Sequence, residues 1–216
     1  MSSAEVGATP QHPNQIFPGE FNMMMVELTS VPAAVLPIGA LSDHLRLSSG
    51  FADDGSQDAQ LETCLRSAMA AIEARINKAL FQRQFVMTLM LWTDIESHPM
   101  PLAPIVDIEA ITLISRVGDT IVADTGSYTV QPDAHRPRLV ATGARLPAPE
   151  AGGSIEVTFT AGFSADWEGI PADLKHGLLA LAAEFYNLRD GEPRRMSPHV
   201  MGLIEPYRQL RLRGVV

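Results

Sequence analysis

Apolar positions along this chain follow two periods, and the alternation between them lays out most of its elements. Leu61, Leu65, Met69, Ile72 and Ile76 recur at spacings of four, four, three and four, with Glu62, Arg66, Glu73 and Arg75 on other faces, which predicts an amphipathic helix. Leu174, Leu178, Leu181, Phe185 and Leu188 make a second such stripe. At roughly 1.5 to 3 kcal/mol per large apolar side chain removed from water, neither stripe is left exposed. A period of two governs the middle of the chain. Ile155, Val157 and Phe159 alternate with Glu156, Thr158 and Thr160, the pattern of a strand with one buried face. Phe85 to Trp92 reads FVMTLMLW, apolar on both pleat faces, and predicts a strand covered on both sides or buried at an interface. Ile108 to Ile114, a Gly118–Asp119 turn and the renewed apolar character at Ile121 predict a hairpin. Tyr128 and Val130 begin another strand, and Leu139 and Val140 a further short one.

Glycine, proline and capping residues place the boundaries. Ser42 is the expected cap of a short helix bearing Leu41, His44 and Leu45. Three prolines in HPMPLAPI predict an extended connection. Gly162 ends the last strand, Pro171 suits a first helical turn, Asp173 favours the same helix end through the dipole, and the helix stops near Arg189, Asp190 and Gly191. Gly177, Ala180 and Ala183 are small enough for another helix to approach closely. Ser197 with Pro198 starts a short C-terminal helix, which Pro206 breaks or kinks. The expected class is α+β, a helical scaffold of a long central helix and C-terminal helices with a β-rich insert between them. Residues 1–35 form an extended or disordered arm, 36–191 the main domain, and 192–216 a tail. Within the main domain the helices are 41–80 and 171–189 and the insert is about 81–162. Met23, Met24 and Met25 are alternative starts to Met1.

Charge changes the picture at one end. The formal net charge is −9, yet residues 192–216 carry five arginines against two glutamates, a tail of +3 on a body of −12. An acidic body does not adhere to nucleic acid non-specifically, and a basic tail on it suggests docking elsewhere. One cysteine, Cys64, excludes an internal disulfide or a cysteine metal cluster and reads as a small core residue. No apolar run reaches the roughly 18 residues of a membrane span. Catalytic parts are lacking. His12, His44, His98, His135, His176 and His199 show no metal-ligand spacing, Ser164 lacks the second glycine of a nucleophile elbow, and Asp53 and Asp54 suit a helix-entry turn better than a cation site. Trp92 and Trp167 have no basic companions and read as packing residues. No enzyme activity, cofactor or metal is expected.

The order of motifs nevertheless resembles a known family. HLRL at 44–47 followed by Asp53 and Asp54, the helix LETCLRSAMAAIEARINKAL, the strand after Arg83, PLAPIVDIEAIT, and VTFTAGF with IPADLKHGLLALAAEFYNLRDG are similar, in order and spacing, to the head-tail connector (adaptor) proteins of long-tailed phages and phage-derived gene transfer agents. The resemblance implies a structural ring of twelve copies beneath the portal protein, assembled in the host cytoplasm and located at the neck of the virion. A stopper or tail-side neck protein would be its other partner, and DNA would pass through the channel without specific binding; no membrane is involved. It further implies that the C-terminal segment reaches into the portal, a role falling to Arg194, Arg195, Tyr207, Arg208, Leu210, Arg211, Leu212 and Arg213. An acidic body suits such a channel, since phosphate contacts would hold the DNA. The alternative from another class is a small-ligand or nucleic-acid binding module using Trp167 and the basic tail.

Overall fold

A computed structural model describes residues 23–47, 57–188 and 196–208. The fold is mixed α and β, and among the described residues it contains four α-helices and two antiparallel sheets.

The helices form one core. α1 (Ile38–His44), α2 (Asp58–Ile76), α3 (Ala172–Asn187) and α4 (Pro198–Ile204) pack around Leu41, Leu65, Ile72, Leu174, Leu178, Val200 and Ile204, all at most 1% exposed. The stripe on α2 is buried as its spacing requires: Leu61, Leu65, Met69, Ile72 and Ile76 all face inward, with Cys64 beside them. Asn77 ends that helix in the left-handed conformation at φ 56°, which asparagine adopts more readily than most residues. Gly177 lets α4 approach α3 closely, since a Cβ there would stand 3.2 Å from Ile204 Cγ2. Ser197 caps α4 as expected, its Oγ accepting from Val200 N–H at 3.3 Å.

Two helix starts differ from the sequence expectation. α1 begins at Ile38, after Pro37, so Ser42 lies inside the helix and caps nothing; proline, which lacks an N–H to leave unsatisfied, serves as the boundary instead. Pro171 stands just before α3, with extended backbone at ψ 141°, rather than within its first turn.

The second core lies between the sheets. The larger has the order β1-β2-β8-β4-β5, from β1 (Met24–Glu27), β2 (Arg83–Leu89), β8 (Ser154–Ala161), β4 (Ile105–Ile114) and β5 (Thr120–Val122). The smaller has the order β3-β7-β6, from β3 (Ser97–Pro99), β7 (Arg138–Ala141) and β6 (Tyr128–Gln131). Register aligns the apolar rows: Phe85 and Ile108 flank Phe159, Met87 and Ile111 flank Val157, and Leu89 and Leu113 flank Ile155. These residues meet Met100, Tyr128, Leu139 and Leu146 from the smaller sheet and its loops. Phe85 and Phe159 stack with ring centroids 5.7 Å apart. The run FVMTLMLW is not covered on both sides. Phe85, Met87 and Leu89 are buried, Val86 and Thr88 only half-buried, and Met90 and Leu91 lie beyond the strand in solvent.

Short crossings join the two cores. Leu80 and Phe81 belong to the helical core, whereas Ala79 belongs to the sheet core. Phe81 bridges Ser164, and Gly162 passes against it so closely that a Cβ would meet the Phe81 carbonyl oxygen at 2.4 Å; its φ of 141° is a backbone that favours glycine. Arg83, with its side chain only 5% exposed, ties both cores to β1. Its Nη1 and Nη2 donate to the two oxygens of Glu73 on α2 at 2.9 and 2.8 Å. Its Nε lies 3.1 Å from Glu27 Oε1 on β1, a distance that serves an ion pair without hydrogen-bond alignment.

Candidate docking site

The C-terminal end is where the sequence concentrates positive charge, and its described part packs firmly. α4 covers Gly177 on α3 and buries Val200 and Ile204, and Pro206 turns the chain into a single 3-10 turn, Glu205–Tyr207. Tyr207 sits edge-on to Phe163 at 5.9 Å between ring centroids and donates its hydroxyl proton to Asp173 Oδ2 at 3.4 Å. Burial first, then Asp173, raises the phenol pKa, so it stays protonated. Arg208 pairs with Glu205 at 3.1 Å in an exposed position, an ion pair worth little to stability. Of the eight residues assigned to portal docking, only Tyr207 and Arg208 are described, and both engage their own chain. Arg194, Arg195, Leu210, Arg211, Leu212 and Arg213 lie outside the described residues.

Trp167 occupies a 3-10 turn, half-buried against the helical core, with Lys175 Nζ 5.7 Å from its ring centroid and paired to Glu168 at 3.1 Å. Its face is thus occupied by a neighbouring cation of the same chain. Trp92 donates from Nε1 to the Pro147 carbonyl at 2.7 Å and meets His98 edge-on, so it too is a packing residue. Ser164 receives the Asp166 N–H on its Oγ at 3.1 Å, a turn contact without a base. Asp53 and Asp54 lie outside the described residues.

Sequence spacing gave no hint that three histidines would meet. His44 on α1, His176 on α3 and His199 on α4 line one open cleft of about 560 Å³ with Glu184 and Asn187, and the His176 and His199 rings lie 5.2 Å apart. They come from elements distant in sequence, which a spacing rule cannot detect. No group of three or more histidine, cysteine or acidic side chains poised for a metal ion occurs among the described residues. Nor is any described helix long and apolar enough to cross a membrane.

Comparison with known proteins is informative at the level of solved structures. No family model matches the chain, and neither does any curated protein. The chain is 42% identical, with a TM-score of 0.81, to a chain in the neck of an empty gene transfer agent particle computed with C6 symmetry. It is likewise 42% identical, at a TM-score of 0.79, to a chain in the virion of a native gene transfer agent particle. To a chain in the neck of a native particle computed with C12 symmetry it is 38% identical, at a TM-score of 0.77. Each likeness covers 89% of this chain and 98% of the other. Those proteins are structural parts of the particle neck, a non-enzymatic role, and their cyclic symmetry supports a ring-forming oligomer. A likeness of that identity across almost the whole of the solved chains fixes the family: this chain belongs to the structural neck proteins of gene transfer agent particles.

Proposed function

We propose that the protein is a head-tail connector, a ring of copies that joins the portal to the next, tail-side component of the neck and lines the channel through which DNA leaves. The observation that carries this reading is the likeness, along 98% of the solved chain, to a chain in the neck of a native gene transfer agent particle computed with C12 symmetry. Twelve copies and the portal as head-side partner agree with it. In this reading the four helices are the scaffold, and the β-rich segment at about 81–162 is the insert it carries.

The charge distribution supports the polarity of docking. The +3 tail leaves the helical end of a body carrying −12, and Tyr207 anchors its root to Phe163 and Asp173. Beyond that anchor, Leu210, Arg211, Leu212 and Arg213 combine apolar and cationic contacts for a portal groove. The acidic body lets DNA slide, because phosphate contacts and the counterions they release are what hold DNA to protein.

The test mixes the purified chain with portal and weighs the complexes by native mass spectrometry. Binding in ring stoichiometry is expected, and failure of a folded sample to bind would overturn the connector reading. A chain truncated after Arg208 keeps every contact of α4 and Tyr207, so it should retain its circular dichroism spectrum while losing the portal. Undiminished attachment would remove the docking role from residues 209–216.

A further inference from the structure

Among the described residues the larger sheet ends in two edges with no further strand paired to them, both with exposed apolar side chains. On the β1 side Met24, Val26 and Leu28 are 60%, 43% and 52% exposed; on the β5 side Ile121 and Val122 are 67% and 66% exposed. Leu28 N–H donates to the Gln84 carbonyl at 2.8 Å. The alternation of an antiparallel ladder then turns the backbone groups of Met24 and Val26 toward β2 and those of Met25 and Glu27 outward. On the other edge Ala123 N–H donates to the Ile111 carbonyl at 2.8 Å, which turns Thr120 and Val122 outward. A cleft of about 550 Å³ runs beside β5, walled by Leu113, Ile121, Val122, Pro147 and Pro149. Proteins ordinarily blunt free sheet edges with lysine, proline or bulges, because an open apolar edge templates pairing with another chain. The edge strands here, MMVE and TIV, are short, and neither carries lysine or proline; the one charge, Glu27, is turned to Arg83.

A ring with more than two members needs two different complementary patches on every copy, one for each neighbour. We propose that those patches are these two edges: β1 of one copy seats against β5 and its cleft on the next, so that sheets abut around the ring. This rests on the ring reading above. Successive antiparallel pairings make β1 and β5 point the same way, so rotation about a ring axis brings β1 beside its neighbour's β5 in parallel orientation. The methionines of β1 are unbranched and adapt to an irregular cleft. A twofold β1–β1 contact would instead use one patch twice and leave the other edge open.

Particles produced with the Met25→Cys/Val122→Cys chain in place of the native one, treated with a short bismaleimide and run on a denaturing gel, decide the matter. Native Cys64 is 9% exposed in the helical core, so the native chain is the unreactive control. Substituting Ile121→Cys for Val122→Cys tests the neighbouring register. The expected result is a ladder of covalent multimers from either double variant and monomer from each single variant. Dimer from Met25→Cys alone, or monomer from both double variants in particles whose necks contain the chain by mass spectrometry, would overturn the edge assignment while sparing the connector reading. Absence of the native chain from purified necks would overturn both. As a second measurement, Val122→Asp and Met25→Asp should each keep the circular dichroism spectrum of the native chain and lose at least tenfold in neck incorporation; undiminished incorporation of both would also overturn the assignment.

Discussion

Replacing Arg83 with methionine should be among the most damaging single changes in this protein, because it strands a carboxylate between the two cores. Glu73 is 13% exposed on its side chain and accepts two hydrogen bonds from Arg83 and a third, at 2.7 Å, from the backbone N–H of Leu80. Removing one partner of a buried ion pair costs about 3–5 kcal/mol, since the remaining charge keeps its desolvation penalty and loses its compensation. Glu73 keeps the Leu80 N–H and a little solvent, so the lower part of that range is expected for Arg83→Met. Glu73→Gln alone should also destabilise, because it leaves the buried guanidinium with Glu27, at 3.1 Å, as its remaining carboxylate partner. The double variant retains an acceptor for Leu80 and buries no lone charge. It should therefore recover well over half of the summed loss, a coupling of about 2 kcal/mol or more. Urea unfolding of the four isolated chains at neutral pH, followed by far-ultraviolet circular dichroism, measures this cycle. A loss under about 1 kcal/mol for Arg83→Met, or single effects that simply add in the double variant, would refute the claim that this pair is desolvated and mutually dependent.

Three further outcomes follow from single residues. His98 accepts the Thr93 N–H on Nδ1 at 3.1 Å, and burial, then Arg138, push its pKa down to about 4. The unfolded chain binds that proton near pH 6.5, so the contribution is complete above that pH and lost as pH falls toward 4. It amounts to roughly 3 kcal/mol, and His98→Gln should flatten that stretch of the stability profile relative to the native chain; identical slopes would contradict it. Gly162→Ala, at φ 141° and against the Phe81 carbonyl, should cost more than the ~1–3 kcal/mol of backbone strain alone. Gly118→Ala, whose Cβ would meet nothing within 4 Å, should cost less, and thermal melts of the two variants compare them. Gly177→Leu should push α4 off α3, at an overpacking cost of ~1–3 kcal/mol, and speed proteolysis after α3; unaltered cleavage would count against that contact as the seat of α4.

Much of the architecture is legible in local pattern. The stripes on α2 and α3, the alternation along β8, the β4–β5 hairpin with Gly118 at φ 94°, and the Ser197 cap are each visible in a window of a few residues. β1 is not. MMVE is exposed at every position, so it lacks the one buried face that creates a period of two, and pairing with β2 alone makes it a strand. FVMTLMLW is ambiguous for the complementary reason, since apolar residues on an outer face read the same whether a second layer of the same chain or an interface covers them. The basic tail is legible as a charge imbalance, but the turn that binds Tyr207 to Asp173 and Phe163 depends on α3 being close by.

The sequence by itself determined most of the helices and strands, because burial of one face imposes a period within each such segment; the exposed β1 escaped it. It also carried the family, through the order and spacing of motifs that are individually only packing patterns. Tertiary structure alone decided which strands are neighbours, that Arg83 meets Glu73 and Glu27, that His44, His176 and His199 share a cleft, and that the apolar residues of β1 and β5 end up at opposite edges of one sheet. The physical reason is the same in each case. Hydropathy records that a side chain leaves water, whereas its partner is fixed by chain closure over tens of residues, and no local period encodes that.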